Sequence, residues 1–159
     1  SLCLYAKLGF ELRELISTIQ GPPILKDVPG FPVRPANEAD QKSCDRLCVK
    51  VHGHDRTGEL ADAIAQGTAR VVEREGRITG YSTSMAYFGH SIAETNDDLK
   101  ALICAASEFQ GPGFLLPTRN GELLRWCLSQ GLHVVQPMAL MSIGLYHEPN
   151  GAYLPSVLY

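Results

Sequence analysis

The sequence predicts an α/β domain: a mixed central sheet with helices on both faces. Three observations predict it. A helix that stops at a glycine and passes straight into an extended apolar run occurs twice, as SLCLYAKLGF before ELRELISTI and as LLRWCLSQGL before HVVQPMALMSI. A glycine that takes the left-handed conformation just past a helix lets the next strand pack beside it, so both copies read as the same helix-to-strand unit. Between them, TARVVERE and RITGYSTS flank Gly76 with β-branched residues, the pattern of a hairpin. Finally, helical periodicities separate the extended stretches rather than clustering at one end, and 45% hydrophobic residues over 159 positions suffice for one core.

Taken in order, the first unit ends near Ile19, and GPPILKDVPGFPVRP then places five prolines between Gly21 and Pro35. Such a stretch is a stiff linker or a strap laid over a surface. A short strand over 31–34 follows. Asn37, three residues before Asp40, starts a helix whose Cys44, Leu47, Cys48 and Val51 share one face. After HGHDR, Leu60, Ala63 and Ile64 mark a second helix, capped by Asp55 or Thr57 and closed at Gly67. The hairpin around Gly76 comes next, and YFGHSIAET reads as a third strand. Asn96 is expected to cap the helix carrying Leu99, Leu102, Ile103, Ala106 and Phe109. GPGFLLP is a short buried strand, Asn120 caps the helix with Leu124, Cys127 and Leu128, and Gly131 ends it before the last long strand.

The chain opens on Ser1 in mid-pattern, which reads as a piece of a longer protein. Residues 1–21 are expected to close an upstream domain, 22–31 to link, 32–144 to form a second domain, and 145–159 to be a tail. The tail, LYHEPNGAYLPSVLY, is apolar enough to dock on the domain, on the upstream domain or on a second subunit. Net charge is only -3 and the cations are scattered, which argues against nucleic acid as a partner. No apolar run is long enough to cross a bilayer, and no membrane partner is expected. Five cysteines are an odd number, four of them inside apolar helical patterns, so reduced thiols in the cytoplasm are expected.

The most polar compact cluster is His52, His54, Asp55 and Arg56. A histidine there suits the task of taking a proton from an amine, with Asp55 orienting it or binding a cation. The competing reading has Asp55 capping the next helix and Arg56 pairing with a carboxylate. Cys44, Cys48 and His52 recur every four residues, but that is not a standard zinc spacing and no fourth ligand is evident, so no metal is expected. Tyr81 and Tyr87 read as ordinary strand aromatics.

The order of elements, with VHGHDRTGEL, GRITGYSTS, HSIAETNDDLKALICAA, GPGFLLPTRN and LLRWCLSQGL in sequence, resembles the GNAT superfamily of acyl-CoA-dependent N-acyltransferases. SLCLYAKLGFE looks like that family's closing helix and strand, and 32–144 resembles the second domain of bacterial tandem GNAT proteins. The resemblance implies the GNAT fold, acetyl-CoA or CoA as cosubstrate, and transfer of an acetyl group to a primary amine on a small molecule or peptide. It further implies an upstream GNAT domain, or a homodimer, as partner. The pantetheine arm would lie where two parallel strands splay apart, with its pyrophosphate on a helix N-terminus. His90, Ile92, Ala93, Thr95, Asn96, Asp97 and Asn120 fall at those places, with Arg119 just past the FLLP strand. His54, Asp55 and Arg56 would face the acceptor.

Two departures stand out. AETNDD lacks the glycines of the superfamily's pyrophosphate loop and carries Glu94, Asp97 and Asp98, acids that repel phosphate. Tyr5 holds the place of the family's proton-donating tyrosine in the first copy, and Cys127 holds it in the second. These departures point to a second reading, a non-catalytic GNAT-like module that stabilises or regulates a catalytic domain.

Overall fold

A computed structural model describes residues 1–158 and divides the strands between two sheets. The larger has five strands in the order β2 (Val33–Pro35), β3 (Arg70–Arg74), β4 (Arg77–Ser82), β5 (Ser91–Ala93) and β8 (Ala152–Leu154). Every neighbouring pair in it is antiparallel. Helices α2 (Gln41–His52) and α3 (Thr57–Ala65) cover one face, where Cys44, Leu47, Cys48, Val51 and Leu60 pack on Val71, Tyr81, Ile92 and Tyr153. The other face receives α4 (Asn96–Ala105) and α5 (Gly121–Ser129), whose Leu99, Leu102, Ile103, Leu123 and Cys127 form the main core with Val72, Ala93, Phe114, Leu116 and Leu154. Each large side chain buried in this way contributes roughly 1.5–3 kcal/mol, which is why the apolar stripes of these helices fix their orientation.

The smaller sheet has the order β6 (Phe114–Pro117), β1 (Glu11–Gln20), β7 (His133–Ser142). β1 is its middle strand, antiparallel to both neighbours, with Ile19 opposite Phe114 on one side and Val134 on the other. Ile19 enters the main core. Arg119, just past β6, is ion-paired to the buried Glu14 of β1 and reaches Glu148 at 3.1 Å. β7 carries an exposed Val134 and Val135, and α1 (Leu2–Lys7) buries no residue at all.

The repeated unit is structural as well as sequential. α1 and α5 end with the same pair of bonds: Gly9 N to Ala6 O with Phe10 N to Tyr5 O, and Gly131 N to Leu128 O with Leu132 N to Cys127 O. Both glycines have positive φ, 89° and 87°, the left-handed turn that this double closure requires.

The 21–32 stretch is a strap: Ile24, Val28 and Phe31 pack against the main core without regular structure. Only Ser91–Ala93 of YFGHSIAET is strand. The expected cap of α4 also moves by one residue. Thr95, not Asn96, is the N-cap, because its hydroxyl accepts from Asp98 N while Asp98 accepts from Thr95 N, a reciprocal pair that satisfies two backbone donors at once. Asn120 caps α5 as expected, accepting from Leu123 N.

Candidate functional site

β5 and β6 are approached by parallel chain segments, bridged at Ala86 and Gln110, with Gln110 N donating to Met85 O at 3.2 Å. Beyond that bridge the two strands belong to different sheets. The gap between them is filled by β8, which pairs with β5 through Ser91 and Leu154, Ile92 and Tyr153, and Ala93 and Ala152. Strand alternation sends Tyr153 to the α2–α3 side and Leu154 to the α4–α5 side, so the tail completes both cores. Tyr153 stacks edge-on against His52, with ring centroids 5.4 Å apart.

Polar contacts hold the tail at each end of β8. Asn150 N donates to Val51 O at 2.8 Å, and Val157 N donates to Tyr87 O at 3.0 Å. Arg56 Nη2 donates to the buried Ser156 Oγ at 3.1 Å. Gly151 has φ +151° and lies so close to Val51 that a Cβ there would come within 2.9 Å of its side chain.

The open end of the gap is closed by side chains. Asn96 and Asn120 exchange amide hydrogen bonds at 3.1 and 2.8 Å, and Asn96 also donates to Glu122. Lys100 bridges Asp97 and Glu122, each at 2.8 Å. At the start of α4, Asp98 is fully buried and accepts from Thr95 N, Thr95 Oγ1 and Thr79 Oγ1, with Arg74 Nε 3.3 Å away. Glu94 pairs with Arg77, which holds its carboxyl below the usual range. A pyrophosphate needs free backbone donors and a positive local field. Here the Thr95 and Asp98 amide hydrogens are already bonded within the loop, and three acids surround the helix start. With β8 in the gap and the helix start capped, this arrangement does not fit an acyl-CoA.

The HGHDR residues divide. His54 is exposed. Asp55 accepts from Thr57 N and Oγ1 at 3.3 and 2.7 Å, which lowers its carboxyl. Arg56 is buried and forks onto Glu59, with Nε to Oε1 at 3.0 Å and Nη2 to Oε2 at 2.7 Å. Glu59 Oε2 also lies 3.3 Å from His90 Nδ1, and His90 Nε2 is 3.0 Å from the Tyr81 hydroxyl. Burial pushes the His90 imidazole down towards neutrality, with its Nδ1 edge turned to the Glu59 carboxylate and its Nε2 bonded to the Tyr81 hydroxyl. The nearby His90 ring and the Arg56 fork hold Glu59 at about 2.

His54, Asp55 and Arg56 are therefore not brought to one point, whereas Arg56, Glu59, His90 and Tyr81 are. Ile92 and Ala93 pair with the tail. Cys127 lies under α5 in the main core, its thiol pushed up to about 12 by burial. Cys44 and Cys48 are likewise core residues, and no trio of metal-binding side chains occurs among the described residues. Glu59, Ser156 and Tyr153 were not singled out by sequence reasoning. Arg56 and Glu59 are spaced i, i+3 across a helix start, a signal that could have joined the first of them to Arg56.

Burial depresses His52 from an ordinary 6.5 to about 4. Between those values the unfolded chain binds more protons than the folded one, so stability falls as pH drops from about 6.5 towards 4. Urea unfolding at pH 7 and pH 5 should show this loss, and His52→Gln should flatten it; an unchanged slope in that variant would assign the acid sensitivity elsewhere.

No family model and no curated protein sequence matches the chain. Its structure is similar to the crystal structure of the "Putative Acetyltransferase" from Pyrococcus horikoshii, with a TM-score of 0.71 and 17% identity over 94% of this chain. The match covers 52% of that protein, so the chain spans about half the length of the solved structure it resembles. At this identity the likeness establishes the fold alone, a mixed α/β arrangement shared with that protein.

Proposed function

We propose that this chain is a GNAT-like module that supports or regulates a catalytic domain beside it, with its own cofactor gap held shut. The observation that carries the reading is β8 seated between β5 and β6, hydrogen-bonded to β5 and buried in both cores. The capped, acidic start of α4 supports it. The outward faces of α1 and β7, with Leu2, Leu4, Leu8, Val134 and Val135 exposed, supply a surface for the neighbouring domain or for a second copy. Five free cysteines suit the reducing cytoplasm.

A second reading, acyl transfer from acetyl-CoA to a primary amine, is favoured by the divergence of β5 and β6 beyond the Ala86 and Gln110 bridge. Isothermal titration of the 159-residue protein with acetyl-CoA and with CoA separates the two. The closed module should give no heat at about 1 mM ligand, a free energy no better than about -4 kcal/mol. Micromolar binding would move the assignment to the transferase.

A further inference from the structure

Resting on the supporting-module reading, we infer that the free edge of β7 and the bare face of α1 seat a second α/β unit, built as residues 33–117 of this chain are. Its strand in the place of β6 pairs antiparallel with β7 over Met138–Met141. A two-fold symmetry between the two helix-to-strand units points there. Aligning Gly9 with Gly131 sets Leu12 on Val134, Ile16 on Met138 and Ile19 on Met141. The β1–β7 ladder keeps that correspondence in both directions. Leu12 faces Met141 as Ile19 faces Val134, Glu11 faces Ser142 as Gln20 faces His133, and Ile16 faces its own counterpart, Met138. Even the irregularities match, because the residues left unpaired at the two register shifts, Arg13 and Val135, are counterparts.

Only one half of the symmetric arrangement is filled. β1 receives β6 on its outer edge, with Ile16 opposite Pro117 and Ile19 opposite Phe114, and Ile19, Cys127 and Leu132 meet in the main core. Their counterparts Met141, Tyr5 and Phe10 line one largely apolar groove of about 740 Å³. Beside it, the outer edge of β7 pairs with no strand among the described residues, and α1 buries none of its side chains. A long unpaired edge next to apolar surface invites strand addition, which here would continue the β6-β1-β7 sheet by one strand. Pro137 does not bar it: at the equivalent place the Leu15 carbonyl accepts from Thr118 N at 2.8 Å, a part that a proline can also play. A second copy of this chain cannot offer the strand, because its β6 is already bonded to its own β1. A distinct unit is required, and the solved structure with this fold has nearly as much chain again outside the matched part.

The probe is the β6 segment itself as a free, end-capped peptide, GPGFLLPTRN, added to the intact 159-residue protein. By the symmetry its Phe lies opposite Met141 and against Tyr5 and Phe10, and its second Pro lies opposite Met138. Saturating peptide should slow amide exchange at 138–141 by about 10-fold and leave β1 unchanged. Tyr5→Asp, on a helix that buries nothing, should weaken peptide binding at least ~10-fold without moving the melting temperature, and a peptide with Asp in place of its Phe should lose as much. No binding to the folded protein at about 1 mM peptide would overturn the inference. So would binding that Tyr5→Asp leaves unchanged, or protection that appears on β1 because the peptide has replaced β6. Sedimentation showing that the free chain is a dimer with 138–141 already protected would overturn it as well, giving the face to a second copy. These failures leave the closed module standing, since that reading is decided by titration with acetyl-CoA. Peptide held on β7 by a chain that also binds acetyl-CoA would keep the seat for a second unit and remove only the supporting role.

Discussion

Leu154→Ala is expected to lower the unfolding free energy by about 2–5 kcal/mol, the cost of removing a leucine side chain from a packed interior. Leu154 is 2% exposed and belongs to the main core with Phe114, Leu116 and Ile19. The substitution therefore removes contacts that join the larger sheet to the smaller one, and no polar surface stands ready to fill the hole. Leu145→Ala is the matched control: that side chain is wholly exposed, and its loss should change stability by no more than about 0.5 kcal/mol. Urea unfolding of the two variants makes the comparison. Equal effects would mean that the tail lies on the domain without being part of its interior.

Asp98→Ala should cost about 3 kcal/mol or more. The carboxylate is fully buried and gathers Thr95 N, Thr95 Oγ1, Thr79 Oγ1 and Arg74. Removing it leaves those donors without their acceptor and a guanidinium without its partner, which is more damaging than never having had the pair. Asp98→Asn should be milder, because its oxygen can keep accepting from Thr95 N while the new amide turns to the Thr79 hydroxyl, which can accept. Thermal melts at pH 7 rank the three proteins. If Asp98→Ala melted with the parent, the loop would have to close by other bonds, and the account of a self-satisfied helix start would fail.

The helices were legible because their apolar residues recur at helical spacing: Cys44, Leu47, Cys48 and Val51 lie on one buried face of α2, and Leu99, Leu102 and Ile103 on one of α4. The hairpin of β3 and β4 was legible from its β-branched flanks. Thr95 was not, since Thr95 and Asn96 both suit a cap, and only the carboxylate three residues after Thr95 separates them. The seat of β8 was hidden for a different reason. Three residues, AYL, carry no usable periodicity, and their partners at Ser91–Ala93 lie some sixty positions earlier. The tail's apolar character announced that it would dock, and its destination depended on long-range pairing. The same holds for β1, whose neighbours on both sides lie far along the chain. At the candidate site, the acidic AETNDD loop was plain in the sequence, whereas the Arg56, Glu59, His90 and Tyr81 cluster exists only once α3 is laid on the sheet.

The middle position of β1 has a consequence for how the protein is made. Its Thr18 hydroxyl meets the Met138 sulfur 120 positions later, so β1 leaves the ribosome long before either flanking strand exists. At about 5–20 residues per second, an apolar strand would wait on the order of 10 s for its partners. High contact order slows the closing step further. During synthesis, Leu12, Leu15, Ile16 and Ile19 must wait for an early neighbour or a chaperone, and the smaller sheet cannot close until β7 has been made.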